Sequence, residues 1–170
     1  MRYIKDSISL SPERDYPLLR QILRSGLVTH DQLFEFMRLG KYESNRPTFN
    51  WRVRRLTEYG LTVRHTVPAA GKAFVYSIAP AGELELAGIG EQFLTTPAKL
   101  DRNEKELQVA HSLELNNIHL SLLRADLLVR WVPEIQLRST NLSMDFANGK
   151  VYDAIATVRL DGRDTTFALE

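Results

Sequence analysis

The chain has 170 residues and a formal net charge of +1 at pH 7, with 44% hydrophobic and 25% charged residues, which is typical of a globular protein. Because it has no cysteine, disulfides, thiolate catalysis and metal sites held by cysteine are excluded. There is neither a signal peptide nor an apolar run of membrane length, so we expect a cytoplasmic protein that does not meet a membrane.

Two short helices are predicted near the start of the chain. Apolar residues at helical spacing indicate the first over 15–25, and Gly26 is a suitable stop. The second should begin at Thr29, which forms a capping box with Gln32, and should end at Gly40. Both helices are amphipathic, so each should bury one face against its neighbours.

A third helix is predicted within residues 44–66, where arginines alternate with apolar residues. Phe49, Val53 and Leu56 fall within a narrow arc and should be buried. A tryptophan among arginines on the opposite side indicates a binding surface. The residues predicted to lie there are Thr48, Trp51, Arg54, Arg55 and Glu58, with Arg52 at the edge.

The charge of the chain is distributed unevenly. Residues 1–72 carry 13 Lys and Arg against 7 Asp and Glu, a charge of +6, whereas residues 73–170 carry 9 against 14, a charge of −5. A basic front half joined to an acidic rear half is typical of a protein whose front half binds a polyanion.

Two strands should follow the third helix. The segments LTVRHTV and KAFVYSI alternate in the manner of half-buried strands, and PAAG between them has a length that suits a hairpin. Three helices followed by a hairpin are the element order of a winged helix–turn–helix.

The segments GLVTHDQLFEFM, RRLTEYGLTVRH and YSIAPAGELELAG resemble the winged-helix family over residues 12–88. The resemblance implies that the third helix enters the major groove of duplex DNA and that the hairpin lies near the backbone or the minor groove. Because some winged helices bind proteins instead of DNA, a protein-interaction adaptor is an alternative function. The residues assigned to DNA binding are Arg46, Thr48, Trp51, Arg52, Arg54, Arg55, Arg64 and Lys72.

A linker is predicted over residues 89–102, followed by a long helix over 103–125. This helix has apolar residues on two sides, so we expect it to bridge the two halves, with a homodimer contact as an open addition. His111 lies in one apolar stripe, where a core histidine bonded by a neighbour such as Glu114 is the favoured interpretation and a metal ligand the alternative. His119 is predicted on a more exposed arc.

The rear half should form a small, mostly antiparallel sheet. Residues 127–137, 151–160 and 165–170 are rich in Val, Ile, Thr and aromatic residues, and Asn148-Gly149 and Asp161-Gly162 supply tight turns. The predicted fold class is therefore α+β, in which a long helix and this sheet follow the winged helix.

The runs AHSLELNNIHLSLL, WVPEIQLR and KVYDAIATVRLDGRDTTFALE resemble the bacterial replication-relaxation family. Its members pair a winged helix with a degenerate domain similar to PD-(D/E)xK nucleases, which implies such a core over 103–170. The residues carried over from this resemblance are His111, Asn116, Trp131, Glu134, Asp153 and Glu170.

The nuclease-like resemblance raises the question of a metal site. A PD-(D/E)xK site needs carboxylates at the ends of adjacent strands to hold Mg²⁺, and a lysine two residues past the second carboxylate. The candidate metal ligands are Glu134, Asp153 and Glu170, and the candidate catalytic residues are Asp153 and Glu170. Tyr152 replaces the usual proline and the sequence given stops at Glu170, so we expect a C-terminally truncated domain without DNA cleavage.

The favoured function is a DNA-binding protein of plasmid or mobile-element type that acts in replication, relaxation or transcription regulation. It would bind double-stranded DNA through residues 1–88 and need no cofactor. A nuclease that uses Mg²⁺, with its catalytic lysine beyond the given sequence, and a protein-interaction adaptor are the alternatives.

Overall fold

The protein is an α+β structure in which helices pack with two small antiparallel sheets. A computed structural model describes residues 8–67, 73–91, 102–139 and 152–170. The elements in chain order are α1 (Asp15–Ser25), β1 (Val28–Thr29), α2 (His30–Leu39), α3 (Arg46–Glu58), β2 (Thr62–Thr66), β3 (Phe74–Ile78), α4 (Pro80–Gly88), α5 (Arg102–Arg124), β4 (Leu128–Pro133), α6 (Glu134–Ser139), β5 (Ala154–Leu160) and β6 (Arg163–Leu169).

The three helices predicted for the front half are confirmed, and local side chains define where two of them begin. The Thr29 hydroxyl accepts from the Gln32 backbone N–H and Gln32 Oε1 accepts from the Thr29 backbone N–H, each at 3.1 Å, so the capping box forms as predicted. At α3, Asn45 Oδ1 accepts from the Thr48 backbone N–H at 2.9 Å. Pro47 lies in the first turn, where its missing N–H leaves no hydrogen bond unmade.

The hairpin after α3 is confirmed, and it belongs to a three-stranded sheet. Strands β2 and β3 pair antiparallel from Thr62 opposite Ile78 to Thr66 opposite Phe74, whereas the predicted turn at 68–71 lies outside the described residues. The sequence did not predict β1, which pairs with the other edge of β3 and gives the order β1-β3-β2. The start of α2 is therefore tied directly to the hairpin.

Helix α4 follows β3 directly and is a second element that the sequence did not predict. Pro80 is its first residue, and Leu86 is fully buried. Gly82 is also buried, because the helix backbone passes close to the carbonyl oxygen of Leu61. The same carbonyl accepts from the Ala79 backbone N–H at 3.0 Å, so α4 is docked tightly against the segment between α3 and β2.

One apolar core joins the helices of the front half, the first sheet and α5. The three residues of α3 that were predicted to be buried are confirmed in it. Each large side chain removed from water contributes about 1.5–3 kcal/mol, so this core is the main source of stability in the front half. Its fully buried members include Leu18, Leu19, Ile22, Val28, Leu33, Phe49, Val53, Leu56 and Leu86, with Leu120 contributed by α5.

Helix α5 has 23 residues and is fastened to the front half by amide side chains. Asn116 is buried, and its Nδ2 donates to the Leu27 carbonyl oxygen at 2.8 Å. Gln32 Nε2 donates to the Leu113 carbonyl oxygen and to Asn117 Oδ1, both at 2.8 Å. None of the helices in the described ranges combines the length and the apolarity needed to cross a membrane.

An ion-pair cluster also connects α2 with the end of α5. The Glu35 carboxylate accepts from Arg38 Nε and Nη2 at 2.8 Å and from Arg124 Nε at 2.9 Å. The hydrogen bond from Arg38, with Arg124 adding to it, lowers the pKa of Glu35 from 4.5 to about 2.

This shift predicts a pH-dependent contribution of Glu35 to stability. Because its folded-state pKa is depressed, the contribution is present above about pH 4.5 and is lost as the pH falls toward about 2. Urea unfolding across this window should show the wild type losing more stability than a Glu35→Gln variant. If the two proteins lose stability in parallel, the ion-pair cluster has no such role.

The rear half forms the predicted antiparallel sheet, with strand order β4-β5-β6. Strand β5 is central, and the tight turn predicted at Asp161-Gly162 joins it to β6. These two residues have φ angles of 51° and 75°, and positive φ at both central residues is what a two-residue type I′ hairpin turn requires. The turn predicted at Asn148-Gly149 lies outside the described residues.

The prediction of a strand over 127–137 is wrong for the last residues of that range. Strand β4 ends at Pro133, and residues 134–139 form α6. Proline has no N–H to donate to a sheet, so it suits the end of a strand and the entry to a helix. Glu134 in the first turn of α6 pairs with Arg138 in the last, which stabilises the helix at both ends.

Candidate nucleic-acid interface

The inner side of α3 is fastened to the start of α1 by the carboxylate of Asp15, which is fully buried. Arg52 Nη1 donates to Asp15 Oδ1 at 2.9 Å, and Arg55 Nη1 lies 3.6 Å from Oδ2. The backbone N–H of Ser11 donates to the same carboxylate at 2.8 Å. A second carboxylate, that of Glu43, lies 3.7 Å from Arg52 Nε. We call this group the Asp15 network.

Arg55, predicted on the outer side of α3, and Arg52, predicted at its edge, therefore do not project outward. The side chain of Arg52 is only 13% exposed and that of Arg55 only 21%, and Arg55 also donates to the carbonyl oxygen of Ser9. Turning one guanidinium toward DNA would remove one of the two charge partners of the buried Asp15 carboxylate, and turning both would leave it unpaired, at a cost of several kcal/mol. These two arginines hold α3 in place.

Trp51 lies on the solvent side of α3, as the sequence predicted, and 48% of this residue is exposed. Its ring also covers the Asp15 network, since Arg55 Cζ lies 5.2 Å and Arg52 Cζ 6.0 Å from the ring centroid. These cation–π contacts help to keep both guanidinium groups turned inward.

Arg54 is the arginine of α3 that points into solvent, with 69% of its side chain exposed. Its ion-pair partner, Glu58, lies one turn away at 3.7 Å and is 62% exposed, so the pair is weak and Arg54 can be drawn to another anion.

Asn50 is a candidate interface residue that the sequence pattern did not single out. It is exposed one turn before Arg54, and its Oδ1 lies 2.8 Å from Nε2 of His30. Helical spacing could have found it, because position 50 lies about 90° from the buried arc of Phe49, Val53 and Leu56, on the same flank of α3 as Arg54. Asn50, Trp51 and Arg54 form what we call the outer face of α3.

Arg46 and Thr48 stabilise the beginning of α3. Arg46 forms an ion pair with Asp31 of α2, and its Cζ lies 4.7 Å from the ring centroid of Phe34. The Thr48 hydroxyl donates to Asn45 Oδ1 at 3.0 Å. Arg46 stays partly exposed and can still reach a phosphate at the edge of the outer face, whereas Thr48 is part of the cap.

The hairpin adds a further cation beside an exposed ring. Arg64 on β2 is exposed, and its Cζ lies 4.5 Å from the ring centroid of Phe74 on β3, which is also exposed. Among the residues that the structure describes, Arg64 has no carboxylate partner. Lys72, the other assigned residue of the hairpin, lies outside the described residues.

In the rear half, two of the candidate carboxylates lie at the same end of the sheet. Asp153 directly precedes β5, Glu170 directly follows β6, and the backbone N–H of Asp153 donates to the Leu169 carbonyl oxygen at 2.9 Å. His111 Nε2 lies 3.1 Å from Asp153 Oδ2. The expectation of a core histidine is thus wrong, because His111 is largely exposed and faces this carboxylate.

Glu134, the third candidate ligand, lies in the same region. Its backbone N–H donates to the Asp153 carbonyl oxygen at 2.9 Å, and its carboxylate pairs with Arg138. Glu134, Asp153 and His111 line one cleft of about 160 Å³. Within the described ranges, however, no three His, Cys, Asp or Glu side chains are placed so that they could hold a metal ion together.

Comparison with known proteins does not assign the chain to a family. It matches no protein-family model, no curated protein sequence and no solved structure. The function must therefore be inferred from the chemistry of the outer face of α3 and the neighbouring hairpin. These surfaces offer guanidinium and amide donors beside aromatic rings, which are the groups that contact phosphates and base edges in DNA complexes.

Proposed function

We propose that the chain binds duplex DNA as a winged-helix protein, with α3 in the major groove and the β2–β3 hairpin as the wing. The order α1, β1, α2, α3, β2, β3 and the sheet order β1-β3-β2 support this assignment. The major groove is about 12 Å wide and admits a single helix, which in such folds presents its outer side chains to the base edges.

The outer face of α3 is the observation that carries this proposal. Asn50 and Arg54 lie one turn apart on a helix whose opposite side is fixed by the core and by the Asp15 network. Asparagine and arginine are the residues that form bidentate contacts with adenine and guanine in the major groove. Because His30 already holds the Asn50 amide, that group is oriented before DNA arrives.

Phosphate contacts would come from the cations around this face. Arg64 lies on the hairpin and Arg46 at the start of α3, and Lys72 belongs to the hairpin segment in sequence. The +6 charge of residues 1–72 favours the approach of a polyanion and predicts binding that weakens with added salt.

The proposed biological setting is replication, relaxation or transcription control on a plasmid or mobile element. The rear half would be a degenerate PD-(D/E)xK-like domain that supports assembly or a second DNA contact, and residues 103–125 would supply any homodimer interface. The position of Asp153 and Glu170 at one end of the sheet supports this proposed relationship to the nucleases. The proposal does not include DNA cleavage, because His111 pairs with Asp153 and Arg138 pairs with Glu134.

A double substitution on the proposed interface should separate DNA binding from folding. Arg54→Gln combined with Arg64→Gln removes two exposed cations, neither of which belongs to the Asp15 network. We expect affinity for a labelled random duplex to fall at least about tenfold at low salt. A plot of log K against log salt should become less steep by about 0.9 for each phosphate that is no longer neutralised. Fluorescence anisotropy over a salt series measures both.

Arg163→Gln is the matched control, because Arg163 is an exposed arginine of β6 at a distance from α3 along the chain. This variant should bind as the wild type does. Equal affinity of the double variant and the wild type would refute the α3 interface. A folded wild type that ignores duplex DNA at low salt would favour the adaptor alternative. Cutting that requires Mg²⁺ and disappears in Asp153→Asn would favour the nuclease alternative.

A further inference from the structure

A cleft separate from the outer face of α3 lies between α1 and α2 on one side and α5 and β4 on the other. Its volume is about 350 Å³, which is within the range of roughly 300–1,000 Å³ usual for small-molecule sites. Phe36 and Met37 of α2 form part of its apolar lining, and Asn116 and Leu123 of α5 border it. The cleft thus lies where the front half meets the rear half.

The charge of this cleft has one sign. Arg20 and Arg24 reach it from successive turns of α1, and Arg130 reaches it from β4. Among the described residues that line the cleft there is no Asp or Glu. Arg20 pairs with Glu91, but Arg24 and Arg130 have no carboxylate partner in the described part of the chain. Two guanidinium groups are therefore free to bind an anion.

The wall beside these arginines is aromatic. His119 stacks on Trp131 with a centroid distance of 4.3 Å and an interplanar angle of 6°, and its other neighbour is Phe36 at 4.9 Å. The expectation that His119 lies on an exposed arc is thus wrong. Burial, with the nearby charge of Arg24 adding to it, lowers the pKa of His119 to about 4. At neutral pH it is an uncharged ring, and the half-exposed ring of Tyr42 completes the lining.

We propose that this cleft binds a small organic anion with a planar ring, in which Arg24 and Arg130 bind the anionic group and the aromatic wall contacts the ring. Guanidinium groups are well suited to phosphate and carboxylate, and planar ligands stack on aromatic side chains. A mononucleotide and an aromatic carboxylic acid share this chemistry. The site goes beyond DNA binding and does not depend on it, since it shares no residue with the outer face of α3.

Trp131 supplies a direct reading of occupancy. The sequence has two tryptophans, so a Trp51→Phe variant reports the emission of Trp131 alone. We expect saturable changes in that emission with AMP or with benzoate. AMP represents the mononucleotides, and benzoate represents the aromatic carboxylic acids. Adenosine and inorganic phosphate are the matched halves of AMP, the first without the charge and the second without the ring. Each should bind at least about tenfold more weakly than AMP if AMP is the better of the two probes.

Arg24→Gln and Arg130→Gln, made in the Trp51→Phe background, should each weaken the better probe at least about tenfold. Both side chains are solvent-facing, so thermal unfolding should show that the variants remain folded. Arg163→Gln is the control and should bind as its parent does. The proposal is overturned if neither AMP nor benzoate saturates the signal, or if AMP is the better probe and phosphate alone or adenosine alone matches it. It is also overturned if the Arg24 and Arg130 variants retain full affinity.

Discussion

Replacing Asp15 with alanine should lower the free energy of unfolding by about 3–5 kcal/mol. The buried carboxylate accepts hydrogen bonds from Arg52 at 2.9 Å and from the Ser11 backbone at 2.8 Å, and Arg55 lies 3.6 Å away. Its removal leaves a largely buried guanidinium without its closest charge partner and a backbone N–H without its acceptor. Urea unfolding followed by circular dichroism measures the change.

An exposed ion pair between neighbouring helices provides the control for this prediction. Asp31 pairs with Arg46 across α2 and α3, as Asp15 pairs with Arg52 across α1 and α3, but the Asp31 side chain is 81% exposed. Asp31→Ala should therefore cost less than about 1 kcal/mol. If the two substitutions cost the same, burial is not the source of the effect and the Asp15 network does not anchor α3.

A second substitution tests whether the loss comes from the unpaired charge. In the Asp15→Ala background, Arg52→Met keeps most of the side-chain volume and removes the stranded guanidinium, so part of the lost stability should return. The coupling between the two positions should be about 1–3 kcal/mol. This result would also assign Arg52 to the fold, whereas Arg54→Gln should leave stability within about 0.5 kcal/mol of the wild type.

The elements that the sequence predicted are those specified by neighbours along the chain. The capping box of Thr29 and Gln32 spans three residues and forms as expected. The stripe of Phe49, Val53 and Leu56 follows from helical geometry alone, and all three side chains are buried. Short-range patterns of this kind depend on backbone geometry that every helix shares. They can therefore be predicted without knowing which element the helix packs against.

The arginines of α3 show why the candidate interface was predicted only in part. Helical periodicity gives the direction in which a side chain leaves the backbone, but a long side chain ends several ångströms away. Arg55 leaves α3 beside Trp51 and still reaches Asp15, a residue 40 positions earlier in the sequence, while Arg54 remains in solvent. Nothing within α3 indicates that Asp15 is buried, so the sorting of these arginines required the tertiary structure.

Other differences have the same origin. Strand β1 has two residues, too few to show an alternating pattern, and it forms because the edge of β3 is available. Residues 134–137 resemble a continuation of β4, although Pro133 ends the strand. The spacing of α5 predicts an exposed His119, but Trp131 of β4 folds over it. Each outcome is decided by a neighbour that is distant in sequence.

Gly82→Ala should be the most destabilising glycine substitution in α4, with a cost of about 1–3 kcal/mol. A β-carbon at this position would overlap the Leu61 carbonyl oxygen and lie 2.7 Å from Ile78 Cδ1. The isoleucine side chain can move, but the Leu61 carbonyl is backbone, and it accepts from Ala79 at the start of α4. The helix must therefore shift away from the hairpin, which strains the junction that docks it.

Gly88→Ala provides the same chemical change in the same helix without the close approach. Nothing lies within 4 Å of a β-carbon at Gly88, and alanine is the better helix former by up to about 1 kcal/mol. We expect this variant to be neutral or slightly stabilising in thermal unfolding, whereas Gly82→Ala should be destabilising. Equal effects would mean that the close approach to the Leu61 carbonyl oxygen does not determine the cost at position 82. A loss of stability confined to Gly82→Ala would show that α4 is held by backbone proximity, which only glycine at position 82 allows.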